Sequence, residues 1–287
     1  MKKRLMLLLL LGMMVIFQVQ GQTNRFTLEE CLKYAEEHNY SLQNARLDKT
    51  VSEINYKQAK LQMTPTISAS ANHGYGHSHN DGSDWTGNYG VSAGITLFNG
   101  LNIYNNIKQS KLGVTQSEWS YNYEKDQLDI QIVQAFLNIL MNEELLEFQQ
   151  DVIKKSREQM EQGYHRYLAG QILESDYMLL EAQYVSDSTN YDNTLISLNN
   201  NYITLKGLLA INTAAGVEVV KPDTAQMIEN LRIPEMQEVI DKAFDYLPEL
   251  KLSKSRIESA NYDVKIAKSN YYPSLNLAQN LEILLKI

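Results

Sequence analysis

The sequence predicts a mainly α fold with a small β part: long antiparallel coiled-coil helices with a β-hairpin inserted between them. Three observations carry this. Apolar residues recur every seven positions over a stretch of about 60 residues that lacks Pro and Gly-rich punctuation. Two segments of about ten residues alternate apolar with small polar side chains around a cluster of turn formers. Residues 28–70 also align without a gap with residues 236–278, so the chain begins a second copy of its own opening.

The first 21 residues stand apart from that fold. Lys2, Lys3 and Arg4 precede an unbroken apolar run from Leu5 to Phe17, and Val19-Gln20-Gly21 closes the segment. This is the pattern of a cleavable secretory signal, too short for a permanent membrane helix. No Cys follows it, so lipoprotein anchoring is not expected. The leader's three basic residues lower 26 Lys+Arg to 23 against 34 Asp+Glu, a net charge of −11 for the exported chain. Such a surface disfavours nucleic acid as a partner. Cys31 is the only cysteine, so an intrachain disulfide is excluded. The mature chain holds no apolar run of the ~20 residues a membrane helix needs, so any membrane insertion must be as a β-barrel.

The duplicated module opens with Thr27-Leu28-Glu29-Glu30, the capping-box form that satisfies orphan amides at a helix start. A short helix is expected to about His38 and a second from about Ser41 to Gln62, ended by Pro65. Seven identical pairs over 43 positions mark the alignment, among them Ala35/Ala243, Leu42/Leu250, Lys60/Lys268 and Pro65/Pro273. The division that follows is a first structural repeat over 22–234 and the start of a second, incomplete, over 235–287.

From Thr66 to Tyr75 the pattern changes to period two, and it returns from Asn88 to Leu97. Between them Asn80-Asp81-Gly82-Ser83-Asp84 supplies a turn, giving a hairpin over 65–98. One face is apolar and the other small and polar, the pattern of a transmembrane hairpin with lipid on one side and water on the other. A soluble half-buried hairpin alternates in the same way. Tyr75 and Tyr89 flank the turn, where an aromatic girdle would sit.

The long helical hairpin covers 101–209. Ile107, Val114, Tyr121, Leu128 and Ala135 form one heptad series, and Ile132, Ile139, Leu146, Ile153, Met160 and Tyr167 another. A helix from about Leu101 to Leu168 would extend roughly 100 Å. Leu168-Ala169-Gly170-Gln171 is the expected reversal, and a return helix starts near Ile172 with its own series Tyr177, Tyr184, Tyr191, Leu198 and Leu205. Residues 210–234, with Gly216, Pro222 and Pro234, are expected to be an irregular connector.

Enzymatic motifs are missing: there is no Gly-x-Ser-x-Gly elbow, phosphate loop or His-Glu-x-x-His. No cofactor is implied. His73, His77 and His79 share a strand face and are weighed as metal ligands, but polar residues near a loop explain them as well. Asp81 and Asp84 lack calcium-loop spacing. Cys31 among apolar neighbours reads as packing, not as a nucleophile.

The order of these elements, together with Thr27 to Ala35, Ala59-Lys60 with Pro65, Gly94 to Gly100, the tip Gly163 to Asp176 and Leu205 to Leu209, resembles the TolC-like outer-membrane efflux protein family. The resemblance implies a TolC-like α/β barrel duct protomer and no enzyme. It further implies a homotrimer in the cell outer membrane, touching lipid through a shared barrel with its helices in the periplasm. A periplasmic adaptor protein and an inner-membrane pump are the implied partners. On that reading Ser68, Ser70, Asn72, Ser92 and Thr96 line the barrel lumen, and Arg166, Tyr167, Leu168, Ala169, Gly170 and Gln171 form the adaptor-contact tip. The second hairpin and second coiled-coil pair do not follow Leu277, so the chain is expected to be a C-terminally truncated protomer, and no periplasmic gate residue is carried over. The competing expectation is a soluble periplasmic coiled-coil scaffold or adaptor without a channel.

Overall fold

A computed structural model describes residues 24–78, 82–222 and 234–286. The proposed leader (1–21), residues 79–81, which include Asn80 and Asp81 of the expected turn, and residues 223–233 of the expected connector lie outside the described residues. In chain order the elements are β1 (Asn24–Phe26), α1 (Leu28–His38), α2 (Tyr40–Leu61), β2 (Thr66–Ser78), β3 (Gly82–Asn99), α3 (Asn102–Leu168), α4 (Glu174–Leu208), β4 (Val217–Val219), α5 (Met236–Tyr246), α6 (Pro248–Ser269) and β5 (Ser274–Lys286). The chain divides into two compact units, one of residues 1–43 and 125–233, the other of 44–124 and 234–287.

The first unit is built around the distal part of α3, packed antiparallel against α4. Its core holds Leu128, Ile132, Phe136, Ile139 and Leu146 of α3 with Leu205 of α4 and Leu209 at its end. The heptad series whose last apolar member is Ala135 does not end there. It continues as Asn142, Ser156 and Gly163, all buried, with Gln149 between them holding a buried Oε1 that finds no partner among the described residues. A polar or small seam residue costs burial energy but keeps the packing period, which is what a register-setting position in a coiled coil does.

At the base of this unit α1 starts in a capping box: the Thr27 Oγ1 accepts from the Glu30 amide and a Glu30 carboxylate oxygen accepts from the Thr27 amide at 2.8 Å. Cys31 and Ala35 on the next turns are fully buried. Asn39, also buried, ends α1 and starts α2: its side-chain oxygen accepts from the Ser41 and Leu42 amides, while its amide donates to the Leu208 carbonyl at 2.8 Å. One side chain therefore caps a helix start and satisfies a helix end. The connector is not wholly irregular. Its segment Val217-Glu218-Val219 pairs in parallel with β1, residue for residue from Asn24↔Val217 to Phe26↔Val219. Three-residue strands leave too short an alternation to be read from sequence.

The second unit contains α2, the first turns of α3, α5, α6 and a three-stranded antiparallel sheet ordered β2-β3-β5. Polar bonds fix α3 against α6: Asn102 donates to Ser269 Oγ at 2.8 Å, Gln109 to Asp263 at 2.6 Å and Gln116 to the Ser255 carbonyl at 2.9 Å. Gly100 turns the chain from β3 into α3 at φ +63°, and a Cβ there would strike the Ser269 carbonyl oxygen. Only glycine fits both demands.

The sheet departs from the sequence reading in three ways. Its strands are longer than ten residues, 13 in β2 and 18 in β3, and Gly82-Ser83-Asp84 belong to the strand and not to the turn, because the ladder continues to Ser78↔Gly82. A third strand, β5, runs 13 residues beyond the second copy's Pro273 and pairs along β3. The consecutive apolar residues Ile283, Leu284 and Leu285 hide its period. The return helix also starts two residues later than Ile172, at Glu174. Among the described residues the sheet is open, with β2 and β5 at its edges, and does not close into a barrel.

Candidate functional site

Two places answer to the functional residues chosen from sequence: the two-faced sheet and the tip of the helical hairpin. In the sheet, the register Ser68↔Ser92↔Asn280, Ser70↔Gly90↔Glu282 and Thr96↔Asn276 brings Ser68, Ser70, Asn72, Ser92 and Thr96 onto a single face. The Ser68 and Ser92 hydroxyls bond at 2.7 Å. The opposite face carries Ile67, Ala69, Val91, Ile95, Leu277, Leu281 and Ile283. Ile67 is 76% and Leu281 65% exposed, so this apolar face has no cover among the described residues.

A β-bulge at Leu97 keeps the faces in phase. Thr96 pairs with Asn276 but Phe98 pairs with Leu275, so Leu97 is one residue more than the partner strand needs. Without the bulge Phe98 would fall on the polar face and Asn99 on the apolar one.

The sequence reading missed Asn276, Asn280 and Glu282, which β5 adds to the polar face. Asn88 donates to the Glu282 carboxylate across the strands. The signal available was the alternation of Asn276, Ala278, Asn280 and Glu282 with Leu277, Gln279, Leu281 and Ile283, a period-two run begun by the same proline that opens the first hairpin.

Of the weighed metal ligands, His73 lies on the apolar face and its ring Nε2 bonds the Tyr89 hydroxyl, the two rings meeting edge-on at 5.3 Å. His79 lies outside the described residues. Among the described residues no three His, Cys, Asp or Glu side chains are grouped to hold a metal. The buried Cys31 thiol is pushed up to about 11 by desolvation, with the Glu30 charge adding to it, so at neutral pH it is protonated and a poor nucleophile.

At the tip, α3 ends in a left-handed glycine. Gly170 has φ +70°, and the Gln171 amide donates to the Arg166 carbonyl at 2.9 Å, the six-to-one bond of a Schellman motif. Asp176 accepts from the Leu173 amide at 3.3 Å where α4 begins. Behind the turn Tyr167 and Tyr177 stack at 5.9 Å, and Leu180 fills the place a side chain at Gly163 would take. Further along, Arg157 donates to the Tyr184 hydroxyl at 2.9 Å and Gln150 to the Tyr191 hydroxyl at 3.2 Å. Tyr184 and Tyr191, two of the heptad tyrosines of α4, thus meet polar partners seven residues apart on α3. Arg166, Leu168, Ala169, Gly170 and Gln171 are exposed and Tyr167 is half-buried, so five of the six chosen tip residues form a free surface on a rigid support.

A sheet with one apolar and one polar face, mounted on coiled-coil helices of this length, defines the class of outer-membrane channel protomers with helical stems. The chain belongs to the outer membrane efflux protein family, whose sequence model matches residues 31–210. Members of that family are channel proteins and not enzymes. Among solved structures, the channel-forming protein CusC shares the fold with a TM-score of 0.72 at 12% identity, covering 90% of this chain and 60% of that one. The Campylobacter jejuni outer membrane channel CmeC matches at 0.71 and 14% identity over 91% and 60% of the two chains. The Neisseria gonorrhoeae outer membrane channel MtrE, in its open state, matches at 0.66 and 17% identity over 90% and 62%. The chain therefore spans about 60% of the length of the first two. No curated protein sequence matches the chain significantly.

Proposed function

We propose that the chain is an outer-membrane channel subunit of a tripartite efflux or type I secretion system, a passive conduit for small molecules or exported protein. The observation that carries it is the three-stranded sheet, whose uncovered apolar face suits lipid and whose polar face suits water. In this reading residues 1–21 direct export, three copies assemble, and Ser68, Ser70, Asn72, Ser92 and Thr96 face the lumen. The exposed tip from Arg166 to Gln171 meets a periplasmic adaptor that joins the duct to an inner-membrane pump, which supplies the energy.

Carbonate washing of isolated membranes tests membrane integration. Retention of the chain in the membrane pellet is expected, whereas release into the wash would favour a soluble periplasmic scaffold. Leu168→Glu tests the tip. Its side chain is 63% exposed, so the fold should tolerate the change to within ~0.5 kcal/mol while export falls to the level of a strain lacking the protein. Unchanged export would remove the tip from the adaptor interface.

A further inference from the structure

The polar face of the sheet bears a charge that its serines, threonines and asparagines do not prepare one to expect. Among the described side chains on that face Glu282 alone is charged; all others belong to Ser, Thr, Asn, Gly or Ala. Its carboxylate is exposed and is held from the neighbouring strand by the Asn88 amide. Directly across from it stands Gly90, with Ser70 beyond, so no side chain occupies the middle of that row. Glu282 is therefore the one charge among the described side chains of this wall.

We infer that Glu282 is a selectivity-determining residue of the pore, held in place by Asn88 and biasing passage toward cations over anions. The inference rests on the polar face being the lumen and names the charge class that lumen prefers. A carboxylate fixed on a water-filled wall concentrates counter-ions and repels co-ions over a Debye length, about 10 Å at 0.1 M salt, and rings of such groups are how wide pores select by charge. Each assembled copy adds one carboxylate at the same level. An Asn donor fixes that carboxylate without neutralising it, as a Lys or Arg partner would.

The test is the reversal potential of the full chain in planar bilayers under a tenfold KCl gradient, for the wild type, Glu282→Gln and Glu282→Lys. The wild type should prefer K+ over Cl−. Glu282→Gln should lower the permeability ratio about twofold, and Glu282→Lys should bring it below one. Conducting pores with the same reversal potential in all three proteins would overturn the role of Glu282 and leave the channel reading standing. Absence of conductance steps from all three would instead defeat the channel reading, and this inference with it.

Discussion

The two copies of the opening module have the same skeleton and opposite surroundings. At an offset of 208 residues α1 falls on α5, α2 on α6 and β2 on β5, each pair starting and ending at aligned positions. Their side chains meet different fates. Cys31 and Ala35 of α1 are fully buried, while α5 has no buried residue and its Val239, aligned with Cys31, is 49% exposed. The second helices reverse the contrast. Tyr40, Leu47, Ile54 and Leu61 of α2 lie exposed as a heptad stripe, whereas the aligned Pro248, Ser255 and Ser269 of α6 are buried. Backbone geometry follows local signals that both copies keep, such as the helix-ending proline and the switch to period two. Burial follows what the rest of the chain brings to each copy. A sequence repeat predicts where elements start and stop far better than which face they hide.

The largest expected break of that contrast is a buried charge. Ala35→Asp should cost about 3 kcal/mol or more, because the carboxylate loses water without gaining a partner. Ala243→Asp at the aligned position should cost less than about 1 kcal/mol. Urea denaturation followed by circular dichroism measures both, and equal losses would mean that the two helices are covered alike.

A smaller effect separates the two helix joints. Asn39→Ala removes a cap and leaves the Leu208 carbonyl without its donor, an expected loss of about 1–2 kcal/mol. The second copy starts α6 with Pro248 at its first position and with no side-chain cap, so Leu247→Ala should cost about half as much. A greater loss at Leu247 would show that the second joint is held by packing that the first lacks.

The smallest concerns Lys49, which pairs with Glu118 at 3.0 Å where the second copy has the exposed Ile257. An ion pair this open to solvent is worth ~0.5 kcal/mol. Lys49→Ile should therefore shift the urea midpoint only slightly, and a loss above about 1.5 kcal/mol would mark it as part of a tighter network.

Much of this architecture was legible from the residues. The long helix was placed to within a residue of Asn102–Leu168, and the reversal at Gly170 follows from a glycine ending a heptad run. The chosen lumen residues share one face because strand alternation is strict. What escaped had weak local signals. β1 and β4 are three residues each and exist through pairing between distant segments. β5 was concealed by its apolar end, and with it went Glu282. The heptad seam beyond Ala135 was invisible because Asn142, Ser156 and Gly163 are buried for the packing they permit and not for their hydrophobicity.

The bulge at Leu97 has a consequence for how this strand can change in length. A residue lost from most β-strands inverts every side chain on one side of the loss, and the sheet's two faces are scrambled. In β3 the spare residue absorbs such an error. Deleting Leu97 itself leaves Thr96, Phe98 and Asn99 on the faces they already occupy. A deletion at Ala93 can be made good by flattening the bulge, so that only the four residues from Gly94 to Leu97 change sides. The strand thus carries its own compensating frame, and the tolerance of the gene for small in-frame losses rises toward the codon of Leu97.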